Sequence, residues 1–301
     1  PKNKKNLNFI VLILLIIIIL GLISFFLFSE KFKQVLNKTY SKSYIDNLIN
    51  HKEYDKALKI LLKNINSSES INWWYFYKIG IIYYYESDYL NSLLYLRSAN
   101  FYADLEKIPL DINFYIGDNY YKLGKSYYQY AIKYFEKYSK VVNTSKSLIM
   151  EQDFYYKLSI MYVEVEEYDK ARKIMQKIYS NFQNDYKFLY YYSLVLLNDK
   201  KIEESLKILK KIGSNTNDLD LRKDSLFLQG KIYVDLEEYK KAIEYFLQCV
   251  DISPNSDTSY YYLGYCYSQL HDSKTAINYL TKAIIINSNN ELAKNLLKAI
   301  K

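Results

Sequence analysis

The chain has 301 residues, 50% of them apolar and 18% aromatic, with only 7 Gly, 3 Pro and 2 Cys. So few breakers favour helices, and two cysteines are too few for a disulfide framework. The formal charge of +8 comes from lysines scattered at solvent positions, which marks a solvated surface rather than a nucleic-acid footprint. A basic tail over 1–6 leads into an apolar run over 7–28 whose only polar interruptions are Asn8 and Ser24. At about 1.5 Å per residue the run reaches roughly 33 Å, enough for a hydrocarbon core of about 30 Å. It is longer than the apolar region of a secretory signal and lacks a small-x-small cleavage site, so a retained transmembrane anchor is expected. No cysteine follows it to carry a lipid. Lys2, Lys4 and Lys5 on one side compete with Lys31, Lys33, Lys38 and Lys42 on the other, so lysine counting does not set the orientation. The short basic tail before an apolar start looks like a signal anchor, which implies a single-pass protein of the bacterial inner membrane with residues 38–301 outside the cytoplasm. A polar stem over 29–37 follows.

From there a pattern recurs. In 38–71, Leu48, Tyr54, Ala57 and Leu61 fit its phases, but Ile45 stands where a small residue is expected, as in an atypical terminal repeat. In 73–106 the phases hold Phe76, Gly80, Tyr83, Ser92, Leu96 and Ala99. In 110–145, after Pro109, they hold Gly117, Tyr120, Ala131 and Phe135, with two extra residues around 126–130. In 152–185 they hold Leu158, Ser159, Tyr162, Ala171 and Met175. The segment 186–219, with Leu189, Ser193, Leu196, Ser205 and Leu209, is the most degenerate and ends in a polar loop expected over Gly213–Asp220. The pair 223–256 and 257–290 is the most regular: Leu226, Gly230, Tyr233, Ala242 and Phe246 are answered thirty-four residues later by Tyr260, Gly264, Tyr267, Ala276 and Leu280. Leu292, Leu296 and Ile300 then form an apolar stripe suited to a cap over 291–301.

Small residues at two fixed phases let two helices approach closely, and aromatic or aliphatic residues three or four apart stack on one helix face. One hairpin cannot bury such a face, so neighbours must cover it. Over a period of about 34 residues this spacing resembles the tetratricopeptide repeat. In the last repeat, Tyr260, Leu263, Gly264, Tyr267, Ala276 and Leu280 carry the resemblance. The resemblance implies an all-α, right-handed α-solenoid of about seven helical hairpins with a C-terminal capping helix, preceded here by one transmembrane helix. No second domain is expected.

Catalytic constellations are not found. His51 and His271 fall at the turn between the two helices of a hairpin, with no metal-ligand spacing around them. The glycines are isolated at packing phases rather than grouped around a phosphate. Carboxylates such as Glu164, Glu166, Glu167, Glu237 and Glu238 sit beside lysines at helix ends, as on solvated faces. No enzyme activity, cofactor, metal, nucleic acid or small-molecule substrate is therefore expected. Cys249 and Cys266 fall on adjacent helices and are either buried free thiols or, in an oxidising compartment, a disulfide.

The resemblance also implies a concave side lined by the first helix of each hairpin. Its phases here hold Trp74, Tyr77, Tyr84, Tyr85, Phe114, Tyr121, Tyr156, Tyr190, Phe227, Tyr261 and Tyr265. Such an aromatic lining suits an extended peptide or a partner helix, although a chain with 37 Tyr carries aromatics everywhere. The lysine–asparagine clamp of chaperone-tail binders in this family is missing, with Lys187 and Lys231 isolated. The expectation is a scaffold that holds a protein or peptide partner and touches the bilayer through 7–28, in assembly of envelope or membrane complexes. The alternatives are a self-associating structural protein and an accessory subunit or unrecognised enzyme. Oligomeric state is not set by the sequence.

Overall fold

The computed structural model describes residues 41–67, 72–103, 109–142 and 148–300. Within them lie fifteen α-helices, one 3₁₀ turn and no strand. Among the described residues no helix is long and apolar enough to cross a membrane. The anchor expected over 7–28 and the stem over 29–37 lie outside the described residues.

The sequence pattern runs through as one array, but the chain divides into two compact units at Pro109 and Leu110. The first unit holds two hairpins, α1 (Lys42–Asn50) with α2 (Tyr54–Ser67) and α3 (Trp73–Tyr85) with α4 (Tyr89–Tyr102). The second holds five hairpins and a closing helix. They are α5 (Ile112–Lys122) with α6 (Tyr128–Val142), α7 (Leu148–Glu164) with α8 (Tyr168–Phe182), and α9 (Tyr186–Asn198) with α10 (Ile202–Asn215). Next come α11 (Leu219–Asp235) with α12 (Tyr239–Ile252), α13 (Asp257–Gln269) with α14 (Ser273–Ile286), and α15 (Glu291–Ile300).

Hairpins with small residues at both phases are pinched there. A Cβ on Gly230 would lie 2.7 Å from Cε1 of Phe246, and one on Gly264 would lie 2.6 Å from Cγ of Leu280. Where serine takes the place of alanine it bonds the facing backbone: Ser92 Oγ donates to the carbonyl of Gly80 at 2.8 Å, and Ser205 Oγ to that of Ser193 at 3.0 Å. A buried hydroxyl at the seam is thereby satisfied. Ile45, the expected exception, is fully buried in the core of the first unit with Leu48, Leu61, Trp74, Ile79 and Ile82.

The turns are equally regular. Lys52, Ser87, Glu166, Lys200, Glu237 and His271 each adopt φ near +60° just past the first helix of a hairpin. At Ser87 the N–H donates to the carbonyl of Tyr84, and that of Asp88 to the carbonyl of Tyr83, the paired closure of a Schellman motif. Asp88 then caps the next helix by accepting from the N–H of Asn91. The third hairpin differs where the two extra residues were expected: Gly124, at φ 104°, leads into a 3₁₀ turn over Lys125–Tyr127.

Two expectations are corrected. Gly213 lies inside α10, and Asp218 caps α11 by accepting from the N–H of Leu221, so the polar loop shrinks to 216–218. In α15, Leu292 is 63% exposed; Ala293, Leu296, Leu297 and Ile300 form the stripe that covers the last hairpin.

Candidate functional site

The first helices of the hairpins carry the expected aromatic positions, and they divide by burial. In the first unit, Trp74 and Tyr77 are buried beneath cations. Lys42 Nζ sits 5.0 Å from the Trp74 ring, and Lys78 Nζ sits 5.6 Å from Trp74 and 5.5 Å from Tyr77. Lys78 is held there by Asp46 at 2.7 Å. Tyr84 meets Tyr85 edge to face, and the half-exposed Tyr85 stacks on Tyr54 with centroids 6.1 Å apart.

In the second unit Phe114 and Phe227 turn inward. Phe114 stacks on Phe135 at 5.8 Å, and Phe227 meets Phe246 edge to face at 5.4 Å, so both pack the hairpin seam. Tyr121, Tyr156 and Tyr190 remain half-buried and lie within electrostatic reach of a shared group of carboxylates, with the Tyr156 ring also packed on Phe182 at 4.9 Å. Tyr121 lies face to face with Tyr128, centroids 5.5 Å apart and planes 9° from parallel. Lys157 Nζ sits 5.7 Å from the Tyr121 ring and pairs with Asp118 at 2.7 Å and Asp153 at 2.6 Å. Tyr156 donates a long hydrogen bond, 3.5 Å, to Oδ1 of Asp185. Tyr190 meets Tyr191 edge to face at 5.8 Å, and Tyr191 donates to Oε1 of Glu164 at 2.6 Å. Lys125 reaches the same oxygen at 2.6 Å. Tyr261 and Tyr265 form a separate pair, centroids 6.4 Å apart, with Tyr239 set edge to face against Tyr265.

Glu164 is therefore not a solvated helix-end carboxylate. Its side chain is 17% exposed, and it links the third, fourth and fifth hairpins through Lys125 and Tyr191. Tyr128 and Tyr191 join the set although the phase rule did not select them. Tyr128 lies within the segment of the two-residue insertion, directly after the 3₁₀ turn, and Tyr191 directly follows the selected Tyr190. Burial pushes the phenols of Tyr128 and Tyr190 up to about 12, with Glu164 adding to both. Burial raises Tyr156 and Tyr191 as well, followed by the Asp185 and Glu164 carboxylates respectively. These tyrosines stay neutral donors at any ordinary pH, offering aromatic area with a polar tip beside fixed carboxylates.

Cys249 and Cys266 are both free, fully buried thiols, and burial pushes each up to about 12. Cys249 Sγ donates to the carbonyl of Lys223 at 3.6 Å. Among the described residues no group of three His, Cys, Asp or Glu side chains is placed to hold a metal ion.

Comparison with known proteins agrees with this architecture. Residues 164–249 match the family model of the anaphase-promoting complex, cyclosome, subunit 3, and residues 234–301 match that of the regulator of microtubule dynamics protein 1-3. A TPR repeat-containing protein of Methanocaldococcus jannaschii is 29% identical over 215 residues, covering 66% of this chain and 36% of the relative. The match thus spans about a third of that curated relative's length. A chain of the APC/C hetero-tetramer Cut9–Hcn1 is similar with a TM-score of 0.53 at 15% identity, covering 89% of this chain and 50% of that one. The C-terminal part of a TPR repeat-containing protein from Cytophaga hutchinsonii is similar with a TM-score of 0.53 at 15% identity, covering 84% and 98%. At such identity the structural likenesses speak for the fold alone. Pinched hairpins, recurrent left-handed closures and these matches together show an all-helical array of hairpins similar to tetratricopeptide-repeat proteins.

Proposed function

We propose that the chain is a non-catalytic scaffold that holds an extended protein or peptide segment on the face formed by the first helices of the hairpins in its second unit, along α5, α7 and α9. The observation that carries this reading is the run of half-buried tyrosines, Tyr121, Tyr156 and Tyr190, joined by Tyr128, Tyr191 and Glu164 across three hairpins. Such rings supply large contact area with little rotamer entropy to lose. Asp118, Asp153, Glu164, Asp185 and Asp224 stand among them against Lys125, Lys157 and Lys223, although the chain as a whole carries +8. The segment held there is accordingly one that carries lysine or arginine side chains, which both carboxylates and tyrosine faces attract. The apolar run over 7–28 supports a membrane-anchored scaffold with a role in assembling membrane complexes.

A photo-crosslinking side chain at position 190 of the full-length protein in cells is expected to capture a partner bearing a basic segment. Tyr121→Ala with Tyr190→Ala should weaken that partner about 30-fold or more, as loss of central aromatic anchors does. Tyr130→Ala, on a 56% exposed tyrosine of α6, should leave it unchanged. Helicity must persist in all variants. Equal binding by both variants would overturn this face as the site, and capture of a second copy alone would favour self-association.

A further inference from the structure

The small residue of each second helix fixes a common register: Ala57, Ser92, Ala131, Ala171, Ser205, Ala242 and Ala276 are all fully buried. Two residues beyond it, six hairpins carry Lys59, Lys133, Lys173, Lys207, Glu244 or Asn278. The second hairpin carries Leu94. Two residues before it, the same six hairpins carry Asp, Gln, Glu or Lys, and the second carries Leu90. On α4, Leu90, Leu94 and Phe101 share one helix face at spacings of four and seven, and they are 67%, 61% and 80% exposed. Arg97 lies exposed within the stripe. The opposite side of α4 is also apolar: Leu93, Leu96 and Ala99 are buried, with Leu96 pressed against Gly80 of α3. A helix apolar on both sides has two surfaces to cover.

We infer that the outward face of α4 lies in the headgroup–acyl boundary of the bilayer, as a second membrane contact of the first unit. This rests on the reading of 7–28 as a membrane anchor. The separation between that run and Lys42 is short, at most about 50 Å of extended chain. The first unit is thus held at the surface at high effective concentration, and even a modest apolar stripe then docks. Leu90, Leu94 and Phe101 enter the boundary, while Arg97 keeps its guanidinium at the phosphates with its stem among the chains.

The test uses the full chain in phosphatidylethanolamine–phosphatidylglycerol vesicles with an environment-sensitive fluorophore on Leu94→Cys. Both native cysteines are fully buried with raised thiol pKa values, so labelling in the native state selects the introduced site. Lipids carrying a nitroxide near the headgroup end of the acyl chain should cut the emission of this probe at least two-fold. The same probe on Lys173→Cys, at the equivalent position of α8, should change by less than a tenth. If the protein floats with the vesicles and the Leu94→Cys probe is not quenched, the α4 contact is wrong and the anchor reading stands. If the protein does not float, both are overturned. Disulfide dimers of the unlabelled Leu94→Cys variant forming in vesicles, with no lipid quenching of the labelled one, would assign the stripe to a second copy instead.

Discussion

At Gly117 two opposing effects meet on one atom. Glycine inside a helix ordinarily costs about 1 kcal/mol relative to alanine, so Gly→Ala in α5 is favoured by propensity alone. A Cβ there would lie 2.3 Å from Cδ1 of Phe135, and that ring is fully buried between Phe114 and Phe154. A wedged ring cannot yield, and overpacking of this kind costs about 1–3 kcal/mol, so the clash wins. Gly213 of α10 is the contrasting case: its Cβ would meet Cδ2 of Leu226 at 3.5 Å, an ordinary contact. Urea unfolding should therefore place Gly117→Ala below the parent by about 1–3 kcal/mol and Gly213→Ala above it by about 0.5–1 kcal/mol. A stabilised Gly117→Ala would mean that the helices of the third hairpin are not pressed together.

At the scale of the element, the closures are where this chain departs from its own economy of glycine. Six first helices end on a side-chain-bearing residue with φ near +60°, a conformation that crowds Cβ against the following carbonyl by about 1–2 kcal/mol. Glycine there removes the crowding but loosens the unfolded chain, so the net gain is smaller than the strain. Lys200→Gly should raise the thermal midpoint, and Lys200→Val, branched at Cβ, should lower it. The reverse order would mean that the turn between α9 and α10 does not close in this conformation. These turns were legible as turns, since His51 and His271 marked the phase, but not as left-handed closures, because Lys, Ser and Glu carry no signal for it. The two-residue insertion near 126–130 was legible because it displaces Ala131 relative to Gly117. The inward packing of Phe114 and Phe227 was not, because a phase assigns a residue to a helix face and says nothing of the depth of the neighbour it meets. Glu164 escaped for a similar reason: its partners Tyr191 and Lys125 lie 27 and 39 positions away in other hairpins, beyond any local pattern.

At the scale of the molecule, a repeat array stands by nearest-neighbour interfaces, so one seam decides whether adjacent hairpins unfold together. Across the seam between the third and fourth hairpins, Lys157 of α7 reaches Asp118 of α5 at 2.7 Å, their side chains 11% and 0% exposed. Asp153 takes the other side of the ammonium at 2.6 Å, and Phe114 lies beneath it at 5.9 Å. A pair taken this far out of water need not add net stability over apolar packing, but removing one partner strands a buried charge. Lys157→Met should therefore cost roughly 3–5 kcal/mol and split the unfolding of the second unit into two steps of lower denaturant dependence. Lys157→Met combined with Asp118→Leu removes the stranded charge and should recover most of the loss, restoring a single step. A double-mutant cycle in urea checks both, with circular dichroism for the helices and Trp-independent tyrosine emission for the packed rings. If the single variant loses under about 1 kcal/mol, well short of the penalty for a stranded buried charge, coupling along the second unit runs through its apolar seams alone. If the double variant is as unstable as the single one, the ion pair is required for the register of α5 on α7.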